Sequence, residues 1–252
     1  MDKLRERVAW VTGSSRGIGA AIARALAREG AAIAVHGRDE TAANQVAANI
    51  RDLGVPAMVV LGDVTSPDDL ARMVREIEGA LGPIDILVAN AGGNPVPSAS
   101  LENISIDQWH AAVDANLTST YATLSAVLPA MKSRGVGSIV TMSSAAARRP
   151  TAQSPVAYAA AKAGVEVLTR WVAAEAGPTG VRINCVAPET IMTDRNRAII
   201  PAEIQNELVE AHPIRRLGTP EDVAAVTAFL VSDDAAWISG VTVDVAGGTV
   251  LR

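Results

Sequence analysis

Seven short apolar runs punctuate the chain, and longer amphipathic stretches separate them. Few folds accept that alternation. The runs are residues 8–12, 31–36, 57–62, 84–89, 138–142, 181–187 and 241–245. Helical patterning fills 18–29, 41–53, 106–132 and 155–176. Ser66-Pro67-Asp68-Asp69 and Thr219-Pro220-Glu221-Asp222 each read as a helix start, with a hydroxyl cap, proline in the first turn and acids behind it. The runs are apolar throughout, so they are expected to be buried on both faces. Strands of that kind alternating with helices form a parallel sheet. The expected fold is therefore α/β: a doubly wound sheet of about seven parallel strands with helices on both faces. No Pro/Gly/Ser linker or internal repeat interrupts it, so residues 1–252 read as one domain. The stretch 189–213 is the most polar. It follows the sixth run, at the strand ends where open α/β sheets bind ligands, and it reads as an irregular lid.

Composition narrows the function. Hydrophobic residues make up 49% and charged residues 19% of the chain, which excludes a disordered protein. The formal net charge of −5 argues against a general nucleic-acid binder, which needs a basic face. Cys185 is the single cysteine and reads as a buried core thiol, with no intrachain disulfide available. It cannot build a zinc cluster with His36, His110 and His212, which are scattered, so no metal site is expected. The charged start of the chain does not read as a signal peptide. No run of ~18 uncharged apolar residues reads as a membrane span. The expected location is a reducing cytoplasm.

The turn after the first run is Thr12-Gly13-Ser14-Ser15-Arg16-Gly17-Ile18-Gly19. In this strand–turn–helix context, Gly13 permits a tight turn and Gly17 lets the backbone approach a pyrophosphate. Gly19 lets the helix pack against the strand. The amides of the helix start then face the anion. This is the phosphate-binding turn of a Rossmann-type dinucleotide site, with Ser15 and Ile18 as further lining residues. Dinucleotide sites for NAD usually carry an acid at the tip of the second strand. Here the tip is His36-Gly37-Arg38, and Asp39 comes late. Arg16 and Arg38 suit a 2′-phosphate, because guanidinium binds phosphate bidentately. NADP(H) is therefore favoured, NAD(H) remains possible, and Gly37→Asp is expected to shift preference toward NAD. Asp63 and Val64 end the third run, where Asp63 can accept from an adenine amino group. Asn90-Ala91-Gly92 ends the fourth, where a small loop can abut the cofactor.

Tyr158 and Lys162 are four residues apart in a helical segment, so their side chains share a face. A free tyrosine titrates near ~10. A neighbouring ammonium and a helix N-terminus both favour the phenolate, which makes tyrosine usable as an acid or base near neutral pH. Ser143 and Ser144 end the fifth run, at the same sheet edge as Gly13 and Asn90, where a hydroxyl can donate to a substrate carbonyl. Asn116 lies inside a helical stretch, where Asn is a mediocre helix former; it reads as a water holder or a kink.

Taken together, TGSSRGIG, Asn90-Ala91-Gly92, Asn116, Ser143-Ser144 and Tyr158 with Lys162 resemble the classical short-chain dehydrogenases/reductases. The likeness runs from Val8 to Gly248 and is most similar to the 3-oxoacyl-carrier-protein reductase branch. The resemblance implies Tyr158 as acid/base and Lys162 as the residue that holds the nicotinamide ribose and depresses the tyrosine. It implies Ser144 as the carbonyl partner and Asn116 as the anchor of a water in the proton relay. It also places Pro188, Thr193 and, as a weaker match, Ile191 on the cofactor, with Thr193 at the carboxamide. Two features depart from the pattern. The interval between Ser144 and Tyr158 is one residue longer than in the carrier-protein reductases. Pro188-Glu189-Thr190 stands where the family commonly has Pro-Gly, which puts an acid beside the nicotinamide and the substrate class in doubt.

The implied function is hydride transfer between NADP(H) and a carbonyl or secondary alcohol. The substrate is a 3-oxoacyl thioester, or alternatively a sugar, steroid or small alcohol. A non-catalytic dinucleotide-binding module is the other class, although such a module should have lost Tyr158, Lys162 or Ser144. An acidic carrier would need a basic landing patch, which Lys132, Arg134, Arg148, Arg149, Arg195, Arg197, Arg215 and Arg216 could supply. A homotetramer is implied by the resemblance. The segments 106–132 and 155–176, apolar on more than one face, and the weakly charged run 238–250 agree with it.

Overall fold

The first strand of this computed structural model, which describes residues 2–149 and 154–251, is β1 (Val8–Val11). Its residues divide strictly between two faces. Ala9 and Val11 join one apolar cluster, and Val8 and Trp10 join the other. The other strands are β2 (Ala32–Gly37), β3 (Ala57–Leu61), β4 (Ile84–Ala89), β5 (Gly137–Met142), β6 (Val181–Pro188) and β7 (Thr242–Val245). All pair in parallel, in the order β3-β2-β1-β4-β5-β6-β7. Both faces are covered, which is why these strands carry no polar alternation.

Helices α1 (Gly17–Arg28), α2 (Glu40–Arg51) and α10 (Pro220–Val231) cover the first face. Helices α3 (Pro67–Leu81), α5 (Ser119–Arg134) and α7 (Val156–Ala176) cover the second. The chain reverses its direction of travel across the sheet between β1 and β4. Crossovers leave that point to opposite sides and open a crevice at the strand ends. Two capping signals hold as read. Ser66 accepts from the Asp69 amide, and Thr219 and Asp222 form a reciprocal capping box.

Two expectations need correction. The stretch 106–132 is not one helix: α4 (Ile106–Val113) runs into a π-turn, Asp114–Thr118, before α5 begins. Asn116 causes the break, because its amide donates to the Ala112 carbonyl at 2.9 Å and substitutes for the ladder. Ser119, Thr120 and Thr123 then bond carbonyls four residues back, a habit that bends helices. The stretch 189–213 is not irregular either. It carries α8 (Asp194–Ile199) and α9 (Ala202–Ala211), and neither has a buried residue. The remaining helix is the short α6 (Ala145–Arg148). Part of the long Ser144–Tyr158 interval, residues 150–153, lies outside the described residues.

Asp222 shows how a cap can be read by pH. It takes a two-pronged ion pair from Arg216 (2.7 and 2.8 Å) while capping α10, and these contacts hold its carboxyl well below the usual range. A depressed carboxyl stabilises the fold above its unfolded value of about 4, and the contribution fades as pH falls through the folded value. Asp222→Ala should cost ~1–2 kcal/mol at neutral pH. In urea unfolding, the gap between wild type and variant should close in acid; a pH-independent gap would refute the assignment.

Candidate active site

The crevice is held open by a knot between β1 and β4. Thr12 Oγ1 accepts from the Asn90 and Ala91 amides (3.0 Å each) and donates to the Val88 carbonyl. Asn90 Nδ2 returns bonds to the Thr12 and Gly13 carbonyls at 2.9 and 3.2 Å. Asn90 is thus a strut of the glycine turn. His36 braces the same turn from β2. Its Nδ1 accepts from the Gly13 amide at 2.9 Å, its Nε2 bonds the Gly62 carbonyl at 3.1 Å, and burial pushes its pKa down. The ring is therefore the neutral tautomer with the proton on Nε2. The Gly13 amide is spent on His36, which leaves the first-turn amides of Gly17, Ile18 and Gly19 for an anion. A Cβ on Gly19 would collide with the Gly13 carbonyl oxygen, so glycine is obligatory at that close approach.

Two cavities, of about 690 and 780 Å³, meet over Gly13, Arg16, Gly92 and Arg195. The first is lined by Ser15, Arg38, Asp63, Val64 and Ala91, among others. Arg16 pairs with Asp39 at 2.6 Å, and Asp39 also caps α2, so the late acid lines the cleft with its carboxylate already engaged. Asp63 Oδ1 is engaged by Thr65. Gly37→Asp would carry a second effect here. A Cβ at Gly37 would lie 2.8 Å from Ser15 Cβ and Oγ, so the substitution would disturb the turn before it tested the 2′-position.

The second cavity holds Ser144, Tyr158 and Lys162 on one wall, with Ile18, Asn90, Pro188, Ile191 and Thr193 around them. Lys162 is 4% exposed, donates to the Met142 carbonyl at 2.7 Å and lies 5.7 Å from the Tyr158 ring centre. Ser144 caps α6 and hydrogen-bonds Tyr158. Ser143 turns the other way, donating to Glu166 at 2.8 Å. Asn116, fully buried, brackets Gly93: its Oδ1 accepts from the Gly93 amide at 3.1 Å and its Nδ2 donates to the Gly93 carbonyl at 2.8 Å. Its side-chain amide is thereby committed to protein partners, and its own carbonyl accepts from Thr120. Gly92, at φ +153°, passes so close that a Cβ would sit 2.8 Å from Asn116 Oδ1. Beyond β6, Ile191 is bridged to Gly218, and Thr193 caps α8 through the Asn196 amide.

A family description, Enoyl-(Acyl carrier protein) reductase, matches residues 13–250. Dehydrogenase/reductase SDR family member 4 of Pongo abelii is 39% identical, over 100% of this chain and 90% of that protein. The chain belongs to the short-chain dehydrogenase/reductase family. Among solved structures, a 3-oxoacyl-[acyl-carrier protein] reductase from Brucella melitensis superposes with a TM-score of 0.94. It is 32% identical, with 100% of this chain and 94% of that one covered. A 7α-hydroxysteroid dehydrogenase complexed with NADH and 7-oxo glycochenodeoxycholic acid gives a TM-score of 0.92 at 35% identity, covering 100% and 98%. Members of this family are oxidoreductases that bind a nicotinamide dinucleotide and act on a CH–OH/C=O pair.

Within that family pattern, one electrostatic expectation is reversed. Burial raises the Tyr158 pKa, and the Ser144 hydrogen bond opposes that rise. The ammonium is turned to the Met142 carbonyl, and burial pushes its own pKa down to about 8. Sequence reading also missed His36, Arg148, Glu166 and His212. A histidine at the tip of the second strand was a visible signal for His36. The others meet only through tertiary folding.

Burying an ammonium is costly, and replacement should reveal it. Below about pH 8 Lys162 is charged in both the folded and the unfolded chain, so the native state bears the full desolvation cost. Between about 8 and 10.5 the unfolded chain binds the extra proton, so that cost fades with rising pH. Lys162→Met should raise ligand-free stability at pH 7, on the order of 1–3 kcal/mol. The gain should shrink toward pH 10. A destabilised variant at pH 7 would contradict this balance.

Proposed function

We propose that this chain is an NADP(H)-preferring oxidoreductase that interconverts a free ketone and its secondary alcohol. The carrying observation is the single wall that joins Ser144, Tyr158 and Lys162 beside the cleft that starts at Gly17. The residues fit a dinucleotide: first-turn amides are unspent, and Gly19 and Gly92 have no space for side chains. Gly17, Ile18 and Gly19 would hold the diphosphate on the turn that Gly13 and Ser15 build, and Arg16 would stand with Arg38 toward a 2′-phosphate. Asp63, Val64 and Ala91 would flank the adenosine half, and Asn90, Gly92, Pro188, Ile191 and Thr193 the nicotinamide half.

When bound, the nicotinamide supplies or accepts the hydride. Ser144 donates to the carbonyl oxygen and fixes its position. Tyr158 gives that oxygen its proton in reduction and takes it back in oxidation. Lys162 holds the ribose and contributes positive charge near the phenol. Asn116 fixes the Gly92–Gly93 backbone beside which the cofactor would lie, and it would anchor a water of the proton relay.

Arg38 supports NADP(H), since it stands at the β2 tip without an acid in the NAD position. The ion pairs support a free substrate over a carrier-bound one. Lys132 pairs with Glu175, Arg134 with Asp85, Arg215 with Glu210 and Arg216 with Asp222. Arg148 is buried between Glu166 and Asp244. Most of the expected landing patch is thus neutralised. The segment 189–213 acts as the substrate lid of the single domain 1–252. Among the described residues no helix is long and apolar enough to cross a membrane. A homotetramer is favoured by Val167 and Trp171 on α7 (56% and 63% exposed), and by the fully exposed Trp237 near β7.

Tyr158→Phe should lose at least ~100-fold in kcat on a ketone panel with NADPH while keeping dinucleotide affinity. Retention of a tenth of the activity would sink the acid/base role. Lys162→Ala should damage both turnover and affinity. Arg38→Ala should weaken NADPH binding and spare NADH in fluorescence titrations; tighter NADH binding by wild type would overturn the preference. Light scattering should give four times 26.0 kDa, and a single-chain mass would reject the assembly.

A further inference from the structure

Ser143 and Ser144 leave β5 side by side and face opposite ways. Ser144 meets Tyr158, whereas Ser143 points into a buried ionic cluster behind the catalytic wall. Glu166 is its centre. It lies one turn beyond Lys162 on α7 and is 7% exposed. One of its oxygens accepts from Ser143 at 2.8 Å, and the other faces Arg148 Nη1 at 3.1 Å. Arg148 is the last residue of α6, the short helix that Ser144 caps. Its Nε lies 2.8 Å from Asp244 on β7, and its side chain is 8% exposed. The segment 143–148 is thus clamped at both ends to Glu166, on the same helix that carries Tyr158 and Lys162. Lys162 and the Cys185 thiol are the other titratable groups near the carboxylate.

A buried ion pair is a weak source of net stability, because desolvation offsets the attraction. Geometry is what this one supplies. Both partners are planar forks, and the guanidinium spans two carboxylates that no single ammonium could reach together. Resting on the reading of Ser144 and Tyr158 as the reacting pair, we propose that Arg148 and Glu166 are positioning residues that fix the Ser144 hydroxyl against the Tyr158 hydroxyl. Neither residue touches the substrate. Each acts through the backbone between Ser143 and Arg148.

The test uses Glu166→Gln and Arg148→Lys in the full chain, with Glu166→Ala as the stronger lesion. Displacement of the order of an ångström can cost up to ~100-fold in rate, so kcat should fall ~10-fold or more in Arg148→Lys and Glu166→Ala. Glu166→Gln keeps an oxygen for Ser143 and should recover part of the loss. Dinucleotide affinity should not change. The second readout is independent of turnover. The chain has two tyrosines, Tyr121 and Tyr158, so an ultraviolet tyrosinate titration corrected with Tyr158→Phe isolates Tyr158. The Ser144 bond favours the phenolate, so loosening it should move the Tyr158 midpoint upward. Unchanged kcat in Arg148→Lys and Glu166→Ala overturns the proposal. So does a lost kcat with an unmoved Tyr158 midpoint, because a merely structural role predicts that. If wild type reduces no ketone, the reading of the reaction fails, while the tyrosinate titration still decides whether the clamp sets Ser144.

Discussion

The active cleft depends on one small knot, in which the Thr12 hydroxyl is bonded to β4 and the Asn90 amide is bonded to β1. β1 and β4 are hydrogen-bonded neighbours, yet the chain leaves them toward opposite faces of the sheet. Their ends would splay into solvent with unpaired amides and carbonyls, each costly when buried. The knot satisfies those groups and fixes the Gly13 turn against the Asn90-Ala91-Gly92 loop. His36 then locks the turn from β2, and Asn116 locks Gly93 from the π-turn. Four separate elements therefore converge on a backbone with few side chains of its own, as a surface that must touch a dinucleotide requires.

Charge is buried on the far side of that backbone, against the usual preference of folded proteins. Lys162 is held at 4% exposure with one carbonyl as its partner, and Arg148 and Glu166 are sealed behind Ser143. Such groups cost stability and are retained where position or protonation matters. The burial that pushes Lys162 down to about 8 also raises Tyr158. Lone burial would leave the phenol a poor proton donor and acceptor, so the Ser144 bond carries the opposing influence in this ligand-free arrangement. That makes the placement of Ser144 the point on which the chemistry turns.

What the sequence made legible was local. The cap at Ser66 and the box at Thr219 read correctly because their partners lie three residues away. The seven strands were legible because burial on both faces leaves an uninterrupted apolar signal. The π-turn was not, since one inserted residue barely disturbs a helical period, and its cause is a side-chain bond from Asn116 to Ala112. Helices α8 and α9 escaped because neither buries a residue, so no apolar stripe marks them. The site residues Tyr158, Lys162 and Ser144 were visible from spacing and resemblance. Their electrostatics were not, because desolvation is a property of the assembled fold. Arg148 read as part of a basic landing patch and Glu166 gave no signal, for the same reason.

Glu189 carries the argument one step further. Where the family commonly has glycine, this chain places an acid at the end of β6. The expectation was a charge beside the nicotinamide. The structure turns that carboxylate toward His212, whose Nε2 lies 2.8 Å from Glu189 Oε2, and toward the Thr190 amide. His212 caps α9 and is 3% exposed, with its other nitrogen on the Leu208 carbonyl. The acid therefore fastens the far end of the segment 189–213 back to the strand it left. At the near end, the Ile191–Gly218 bridge fastens the same segment a second time. Between those two fixed ends lie α8 and α9, which bury no residue, while Pro188 and Ile191 line the cavity that holds Tyr158. The departure from the family pattern thus acts on how the segment 189–213 is anchored, at a residue that also lines the cavity holding Tyr158.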